Sequence, residues 1–293
     1  MHVLPNKSEL KSWLGARSRP RRVLVPTMGA LHRGHTSLID QAKVEAGENG
    51  EVIVTIFVNP VQFGPNEDFA AYPRPLEADL EKCRSHGATA VFAPQVSEMY
   101  QSDRSILITE DRLSASLCGS SRPGHFDGVC TVVAKLFHLT QPESAIFGEK
   151  DFQQLAVIRR LVRDLDFPIH ILAGATVREE DGLALSSRNV YLSAEERAQA
   201  PILQQTLRSV ASDISNGTIR TKREAAEQFR EKFAPAVLGR LDYFEIVDSA
   251  TLAPMDNIGE GDPRLIAAAF FGKTRLIDNI GVSQADNHVD PVS

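Results

Sequence analysis

Apolar, strand-like runs alternate with segments of helical spacing through the first 175 residues of the chain. Residues 51–58 are nearly all apolar or β-branched, which is typical of a strand buried on both faces. Residues 75–86 instead place Leu76, Leu80 and Cys83 at helical spacing. Repeated β-α-β units of this length predict a parallel sheet covered by helices. We predict strands at residues 23–26, 51–58, 88–93, 144–147 and 169–173, and helices at 35–46, 75–86, 126–139 and 152–165.

After residue 175 the pattern changes to that of a smaller α+β domain. Ser193 begins a helix whose first turn carries Glu195 and Glu196, a favourable start because acidic side chains stabilise the positive end of the helix dipole. Residues 271–274 have the composition of a hairpin connection. We predict a further helix at 222–233 and strands at 243–247, 265–271 and 274–277, and hence domains at residues 1–175 and 176–281 with a polar, disordered tail at 282–293.

Composition and charge exclude several classes of protein. The formal net charge of −6 implies no broad basic face for nucleic acid. The three cysteines are widely spaced and match neither a disulfide framework nor a zinc motif. No apolar run approaches the roughly 18 residues that span a membrane, and the N-terminal segment lacks the apolar core of a secretory signal. We therefore expect a cytoplasmic protein that binds neither nucleic acid nor membrane.

The most informative polar segment is PTMGALHRGH at residues 26–35, where a predicted strand turns into a helix. His32 and His35 stand on either side of a glycine at a helix start, where backbone N–H groups and the helix dipole favour a phosphate. This HxGH pattern predicts chemistry at the α-phosphate of ATP. The alternative is a glycine turn with two incidental surface histidines. Neither of the commoner nucleotide motifs, GxxxxGK[ST] and GxGxxG, occurs in the chain.

Two loops offer neutral and basic groups for a small anionic substrate. Asn59 and Gln62, in the turn after the buried strand, can hydrogen-bond hydroxyl and carboxylate groups. Arg122 and His125 precede an apolar helix and suit an anion or a loop over the site. The alternative for both loops is a structural turn. Between them lies Asp79, a carboxylate that suits Mg²⁺ directly or through water, or merely a solvated helix face.

Two later segments offer phosphate donors. Lys150 follows a predicted strand and is a mobile point charge suited to phosphate, and Gln154 lies one turn further on. Ser186, Ser187 and Arg188 form a compact set of donors for a triphosphate, near the predicted domain boundary where ligand sites are common. The alternative for the Lys150 segment is plain helix capping with a solvated lysine, and the alternative for the Ser186–Arg188 segment is a linker turn.

Together these segments resemble the signatures of the pantoate–β-alanine ligase (pantothenate synthetase) family, in its order and at its spacings. The resemblance covers residues 20–192 densely and the C-terminal region more loosely. The matching segments are PTMGALHRGH (26–35), IFVNPVQFGPNEDFAAYPR (56–74), RPGHFDGV (122–129), FGEKDFQQL (147–155) and VREEDGLALSSRN (177–189).

The resemblance implies a two-step ligation within the coenzyme A pathway. Pantoate and ATP give pantoyl adenylate and pyrophosphate, and the amine of β-alanine then attacks the acyl carbon to give pantothenate and AMP. It also implies an α/β fold with a Rossmann-like parallel-sheet domain, a C-terminal lid, Mg²⁺ with ATP as co-substrate, no organic prosthetic group, and a homodimer.

The resemblance also carries roles over residue by residue. His35 matches the family's proton donor, which we interpret as a protonated imidazole that stabilises charge growing on the phosphates. His32, Lys150 and Arg188 are the other expected catalytic groups. ATP is expected at Met28, Gly29, Ala30, Leu31, His32, Arg33, Gly34, His35, Gly148, Glu149, Lys150, Asp151, Val177, Leu185, Ser186, Ser187 and Arg188, and the other substrates at Gln62, Gln154, Asn59, Tyr72, Arg122 and His125.

Two features of the chain depart from the family pattern. Asp79 matches an acidic position linked to Mg²⁺ in some members, but Ala78 stands where those members have a second acid. Mg²⁺ is then expected to be held mainly by the ATP phosphates. Leu185 stands where methionine is common, which is a volume-conserving exchange.

Two other functions compete with this interpretation. A different HxGH nucleotidyltransferase, making a dinucleotide or a CDP-linked product, needs a phosphorylated substrate and a further basic pocket, whereas Gln62 and Gln154 are neutral. A catalytically silent nucleotide-binding regulator is expected to lack a histidine or the Ser-Ser-Arg donors, and this chain has both.

Overall fold

A computed structural model describes residues 1–16, 20–65, 67 and 69–284 of the chain. The chain divides into two compact units. The first comprises residues 1–149 and 153–175, and the second comprises residues 150–152 and those from 176 onward. The short segment Lys150–Phe152 therefore groups with the C-terminal unit, although sequence analysis assigned it to the N-terminal domain.

The first unit contains a sheet of six parallel strands. They are β1 (His2–Leu4), β2 (Arg22–Thr27), β3 (Glu51–Ile56), β4 (Ala90–Phe92), β5 (Ser144–Gly148) and β6 (His170–Gly174). Their order in the sheet is β1-β4-β3-β2-β5-β6. The direction of winding reverses between β2 and β5, and ligands in such sheets bind beyond the carboxyl ends of the strands at this point.

Seven helices connect these strands in the described part of the unit. They are α1 (Lys7–Gly15), α2 (Arg33–Ala46), α3 (Leu76–Ser85), α4 (Val96–Met99), α5 (Cys118–Ser121), α6 (His125–Thr140) and α7 (Phe152–Asp164), with 3-10 helices at Pro60–Gln62 and Glu149–Asp151. One face of α2 packs on β2 and β3, where Ile39 and Ala42 join Val23 and Val54 in the core. None of the helices in the described residues is both long and apolar enough for a membrane span.

The second unit contains a smaller, antiparallel sheet of three strands. Its elements are α8 (Ala194–Gln199), α9 (Ile202–Ser215), α10 (Lys222–Phe233), β7 (Gly239–Asp248), β8 (Pro263–Phe271) and β9 (Thr274–Gly281), with 3-10 helices at Ser187–Tyr191 and Val282–Gln284. α9 and α10 bury their apolar faces against the sheet, with Phe229, Phe233 and Phe271 at the centre of the core. The predicted fold class, a parallel α/β domain with a smaller α+β domain, is confirmed.

Most predicted elements are present, and the differences have local causes. Helix α2 begins two residues early because His32 serves as its N-cap. Strand β3 ends at Ile56, before the predicted end, because Asn59 caps the next 3-10 turn. The predicted helix start at Ser193 is confirmed as a capping box with Glu196.

The hairpin prediction is confirmed, and the tail prediction needs a correction. Phe271 pairs with Thr274 across the turn, and Gly272 adopts a φ of +57° there. The predicted disordered tail began at residue 282, but Val282–Gln284 form a 3-10 turn in which Val282 packs against the core. The remainder of that tail, residues 285–293, lies outside the described residues.

Candidate active site

The segment after β2 brings its two histidines together at the start of α2. The Nδ1 atom of His32 accepts the Gly34 N–H at 3.1 Å, and the Nδ1 atom of His35 accepts the His32 N–H at 3.3 Å. The two ring centroids lie 4.0 Å apart. The imidazoles therefore form a reciprocal cap of α2, a task usually done by a hydroxyl and a carboxylate.

This capping fixes the tautomer of both rings. A nitrogen that accepts a backbone N–H carries no hydrogen, so each neutral ring carries its hydrogen on Nε2. The protonated state expected of His35 from the sequence stays a prediction, and Nε2 is the ring atom from which it would donate.

Asp79 is buried and bonded to the backbone, whereas a side chain that coordinates Mg²⁺ needs access to the metal and its waters. Its side chain is only 1% exposed. The Oδ2 atom accepts the Ala30 N–H at 2.7 Å, and the Oδ1 atom accepts the Leu31 N–H at 2.8 Å. Because Mg²⁺ keeps several waters, a buried carboxylate with a backbone donor on each oxygen does not fit direct coordination. Within the described residues, no three or more His, Cys, Asp or Glu side chains form a metal cluster.

Gln62 lies in a network of neutral groups after β3. Its Oε1 atom accepts from Asn59 Nδ2 at 3.1 Å, and its Nε2 atom donates to Met28 Sδ at 3.1 Å. Asn59 is fixed in turn, since it donates to the Gly128 carbonyl at 3.0 Å and accepts from the Tyr100 hydroxyl at 2.8 Å. The structure therefore joins Gln62 to Met28, at the start of the segment that leads to His32 and His35.

Arg122 and His125 contact the backbone of the same turn. Arg122 forms an ion pair with Glu67 at 2.6 Å and donates to His125 Nε2 at 2.9 Å. His125 Nδ1 donates to the Gln62 carbonyl oxygen at 2.8 Å. Burial opposes ionisation of Glu67, but the hydrogen bond and charge of Arg122 outweigh it and lower the pKa of Glu67. The expected contact of Arg122 and His125 with substrate stays a prediction; in the structure both side chains hold the segment that carries Gln62.

The remaining expected substrate groups of the first unit differ in their burial. Tyr72 is buried, with its ring edge-on to Phe63. Gln154 is half-buried on α7. Its neighbour Gln153 is buried instead and bonds to the backbone of residues 113–118. Gln153 is thus a structural residue.

In the second unit, Lys150 is held through its main chain. Its carbonyl oxygen accepts from Asn279 Nδ2 at 3.1 Å. The Oδ1 atom of Asn279 accepts from Arg264 at 2.6 Å, and the Arg264 guanidinium lies 3.9 Å from the centre of the Phe152 ring. The Lys150 ammonium is 3.7 Å from the Asp151 carboxylate.

A tight turn precedes the Ser-Ser-Arg segment of the same unit. Leu185 N–H donates to the Val177 carbonyl at 3.0 Å, and Ser186 Oγ accepts the Arg188 N–H at 3.2 Å as the cap of a 3-10 helix. An ion pair between Arg178 and Asp278 connects this turn to β9.

Asp278 and Asn279 were not predicted as site residues. The available signal was a pair of adjacent polar residues between the apolar residues Ile277 and Ile280 of β9.

The chain is similar to known proteins along nearly its whole length. The family model described as pantoate-beta-alanine ligase matches residues 2–281. The pantothenate synthetase of Akkermansia muciniphila is 48% identical over 287 residues, which cover 96% of this chain and 99% of that protein. The solved structure of pantothenate synthetase from Thermus thermophilus has a TM-score of 0.90 at 45% identity and covers 96% of this chain and 99% of its own.

A second solved structure carries ligands. The pantoate-beta-alanine ligase of Francisella tularensis, complexed with beta-gamma ATP and beta-alanine, has a TM-score of 0.80 at 33% identity over 100% of both chains. These matches extend through both units and confirm the resemblance seen in the sequence. The chain is therefore a ligase that belongs to the pantoate–β-alanine ligase family.

Proposed function

We propose that this chain condenses (R)-pantoate with β-alanine in two steps and converts ATP to AMP and pyrophosphate. First, a carboxylate oxygen of pantoate attacks the α-phosphorus of ATP, the bond to the bridging oxygen breaks, and pyrophosphate leaves. Next, the amine nitrogen of β-alanine attacks the acyl carbon of pantoyl adenylate and loses a proton. The bond from that carbon to the phosphate oxygen breaks, so AMP leaves and pantothenate forms.

The reciprocal capping of α2 by His32 and His35 is the observation that best supports this chemistry. Negative charge grows on the α-phosphate and on the leaving pyrophosphate during the first step. Donors that are already fixed stabilise such charge without reorganisation. Held through Nδ1, both rings present Nε2–H as the donor at the positive end of a helix. We assign the proton donor of the reaction to Nε2 of His35.

The phosphates of ATP are proposed to bind two sets of donors. One set is the HxGH segment from Met28 to His35 in the first unit, and the other is Lys150 with Ser186, Ser187 and Arg188 in the second. The second set is supported by the main-chain bond from Asn279 to Lys150 and by the ion pair of Arg178. Mg²⁺ is proposed to arrive on the phosphates of ATP, since Asp79 does not fit direct coordination.

Gln62 and Gln154 are proposed to bind pantoate, with Gln62 also near β-alanine. Their neutral amides match the hydroxyl and carboxylate groups of a small hydroxy acid. Asn59 holds the side chain of Gln62, and Arg122 and His125 hold its carbonyl oxygen. Because the adenylate is easily hydrolysed, we propose that the second unit acts as a lid that excludes water. A homodimer in the cytoplasm is proposed from the family resemblance.

Release of AMP tests this proposal. The enzyme is incubated with ATP and Mg²⁺ and with pantoate and β-alanine separately and together. We expect rapid AMP formation only with both substrates, and a loss of about 100-fold or more in His35→Ala. His138→Ala is the matched control, since His138 is an exposed histidine on α6 of the same unit. An absence of AMP with both substrates would overturn the assignment and favour phosphorylated acceptors.

A further inference from the structure

Helix α3 contacts the segment that precedes His32 through two side chains, Asp79 and Lys82. The Asp79 carboxylate accepts the consecutive N–H groups of Ala30 and Leu31 at 2.7 and 2.8 Å. The Lys82 ammonium donates to the Leu31 carbonyl oxygen. Because residues three apart lie on one face of a helix, both side chains reach the same stretch of backbone.

This stretch adopts a conformation that requires support. Gly29 has a φ of +83° and Ala30 a φ of +51°, so both occupy the left-handed region. Alanine rarely adopts that region, because its Cβ approaches the neighbouring carbonyl. Successive N–H groups in such a turn form a concave anion site. In this chain the anion is the Asp79 carboxylate, which is 1% exposed.

The stretch is also tightly enclosed. A Cβ atom added to Gly29 would lie 3.1 Å from Asp79 Oδ2 and 3.1 Å from Ile56 Cγ2. The Gly29 N–H donates to Thr27 Oγ1 at 3.2 Å. The turn is thus bounded by β3 on one side and by the Asp79 carboxylate on the other.

We propose that Asp79, assisted by Lys82, is a positioning residue that orients the two histidines of the HxGH segment. The connection is short: Leu31 precedes His32, and the His32 N–H donates to the ring of His35. A displacement of the turn therefore changes the direction of both Nε2 atoms. This inference rests on the proposed function of His32 and His35.

The structure supplies a matched control for Asp79. Glu77 and Asp79 both lie in the first turn of α3, where a negative charge stabilises the helix dipole. Glu77 is exposed, whereas Asp79 is buried against the turn. Glu77→Gln therefore removes a first-turn charge and leaves the bonds to Ala30 and Leu31 in place.

Steady-state kinetics of Asp79→Asn give the first test. The asparagine amide places an NH₂ group against a backbone N–H, so one of the two bonds is lost. We expect kcat for AMP formation to fall about 100-fold, as for an active group displaced by about 1 Å. The KM for ATP is expected to change by less than about threefold, because uniform binding is retained. Glu77→Gln is expected to keep the wild-type kcat.

Two further readouts separate positioning from other roles. Amide hydrogen exchange of residues 28–36 in the folded enzyme is expected to rise in Asp79→Asn and to stay at the wild-type level in Glu77→Gln. The Mg²⁺ concentration for half-maximal activity is expected to stay unchanged in Asp79→Asn. A wild-type kcat, or a raised Mg²⁺ requirement, would overturn the proposal.

Lys82→Met covers the case in which Asp79→Asn fails to fold. Methionine keeps much of the aliphatic stem and removes the bond to the Leu31 carbonyl. A lowered kcat with raised exchange in residues 28–36 supports the proposal, and a wild-type kcat overturns it. Failure of the proposed function is recognised separately, since wild-type enzyme would then form no AMP with both substrates.

Discussion

The Asp278 carboxylate accepts a hydrogen bond from each terminal nitrogen of the Arg178 guanidinium, at 2.6 and 2.9 Å, and the Asp278 side chain is 3% exposed. Asp278 and its neighbour Asn279 belong to β9. Asp278 thereby holds the turn before the Ser-Ser-Arg segment, while Asn279 holds the main chain of Lys150. One dipeptide of β9 thus positions both proposed phosphate-binding segments of the second unit.

Asp278→Asn is expected to destabilise the enzyme by about 2 kcal/mol, because it removes the negative charge that pairs with the partly buried Arg178 guanidinium. The KM for ATP is expected to rise as well, since the turn before Ser186 loses its anchor. Urea unfolding and initial rates measure the two effects. Asp242→Asn is the control, because Asp242 pairs with Arg275 at 2.8 Å on the same sheet. An equal rise of KM in both variants would contradict the assignment.

His32 is expected to have separable roles in stability and catalysis. Asparagine caps helices well, whereas replacement of a capping residue by alanine costs about 1 kcal/mol. We therefore expect His32→Asn to keep most of the wild-type stability and His32→Ala to lose about 1 kcal/mol of it. Both variants are expected to lose AMP formation, since neither carries an imidazole. Chemical denaturation measures the stability of both variants, and initial rates measure their AMP formation. A near wild-type rate in His32→Asn would refute the catalytic role.

Gly128 lies against the backbone of the Gln62 turn. A Cβ atom at Gly128 would lie 2.6 Å from the Gln62 nitrogen and 2.6 Å from its Cα. Gly128→Ala is expected to cost about 2 kcal/mol of stability through overpacking and to raise the KM for pantoate more than that for ATP.

Gly15→Ala is the matched control for that variant. Gly15 ends α1, and a Cβ there meets no atom within 4 Å. Near-neutral stability and wild-type KM values are expected for it. Equal KM values for pantoate in Gly128→Ala and wild type would show that the turn tolerates the shift.

The Glu67–Arg122 pair predicts a dependence of stability on pH. Burial opposes ionisation of Glu67, but Arg122 prevails and lowers the pKa of Glu67 below its ordinary 4.5. An acid with a lowered folded-state pKa stabilises the fold above its unfolded pKa, and this contribution is lost as pH falls through the folded value. Glu67→Gln is therefore expected to destabilise by about 1 kcal/mol at pH 7.

The difference between Glu67→Gln and wild type is expected to shrink below about pH 4, because Glu67 of the wild type then becomes protonated, first in the unfolded and then in the folded state. Unfolding free energies measured across this range give the test. A difference that stays constant with pH would mean that the glutamate charge contributes nothing.

Sequence patterns predicted the elements with strong periodicity. The helix predicted at 222–233 has the same bounds in the structure, because its apolar residues and its Thr221 cap mark it clearly. β1 and α1 were missed, since β1 has three residues and is stabilised by pairing with β4. Helix propensity and periodicity report local order, whereas an edge strand of this kind depends on its partner.

In the candidate site, too, local motifs could be predicted from the sequence, whereas contacts between distant residues could not. Every segment proposed to bind a substrate was found as a polar motif after a strand or a turn. The contacts of Asp79 with Ala30 and Leu31, and of Asp278 with Arg178, join residues 49, 48 and 100 positions apart. Such pairs leave no local pattern, and only the folded chain reveals that these carboxylates support the site.

The grouping of Lys150–Phe152 with the C-terminal unit has a consequence for dissecting the enzyme. The polypeptide crosses from one unit to the other three times, after residues 149, 152 and 175. No single cleavage point separates the two units. A fragment ending at residue 175 would keep Phe152 but lose Arg264 and Asn279, which hold this three-residue excursion. Exchanging one unit between relatives therefore requires that Lys150–Phe152 be transferred together with the C-terminal half.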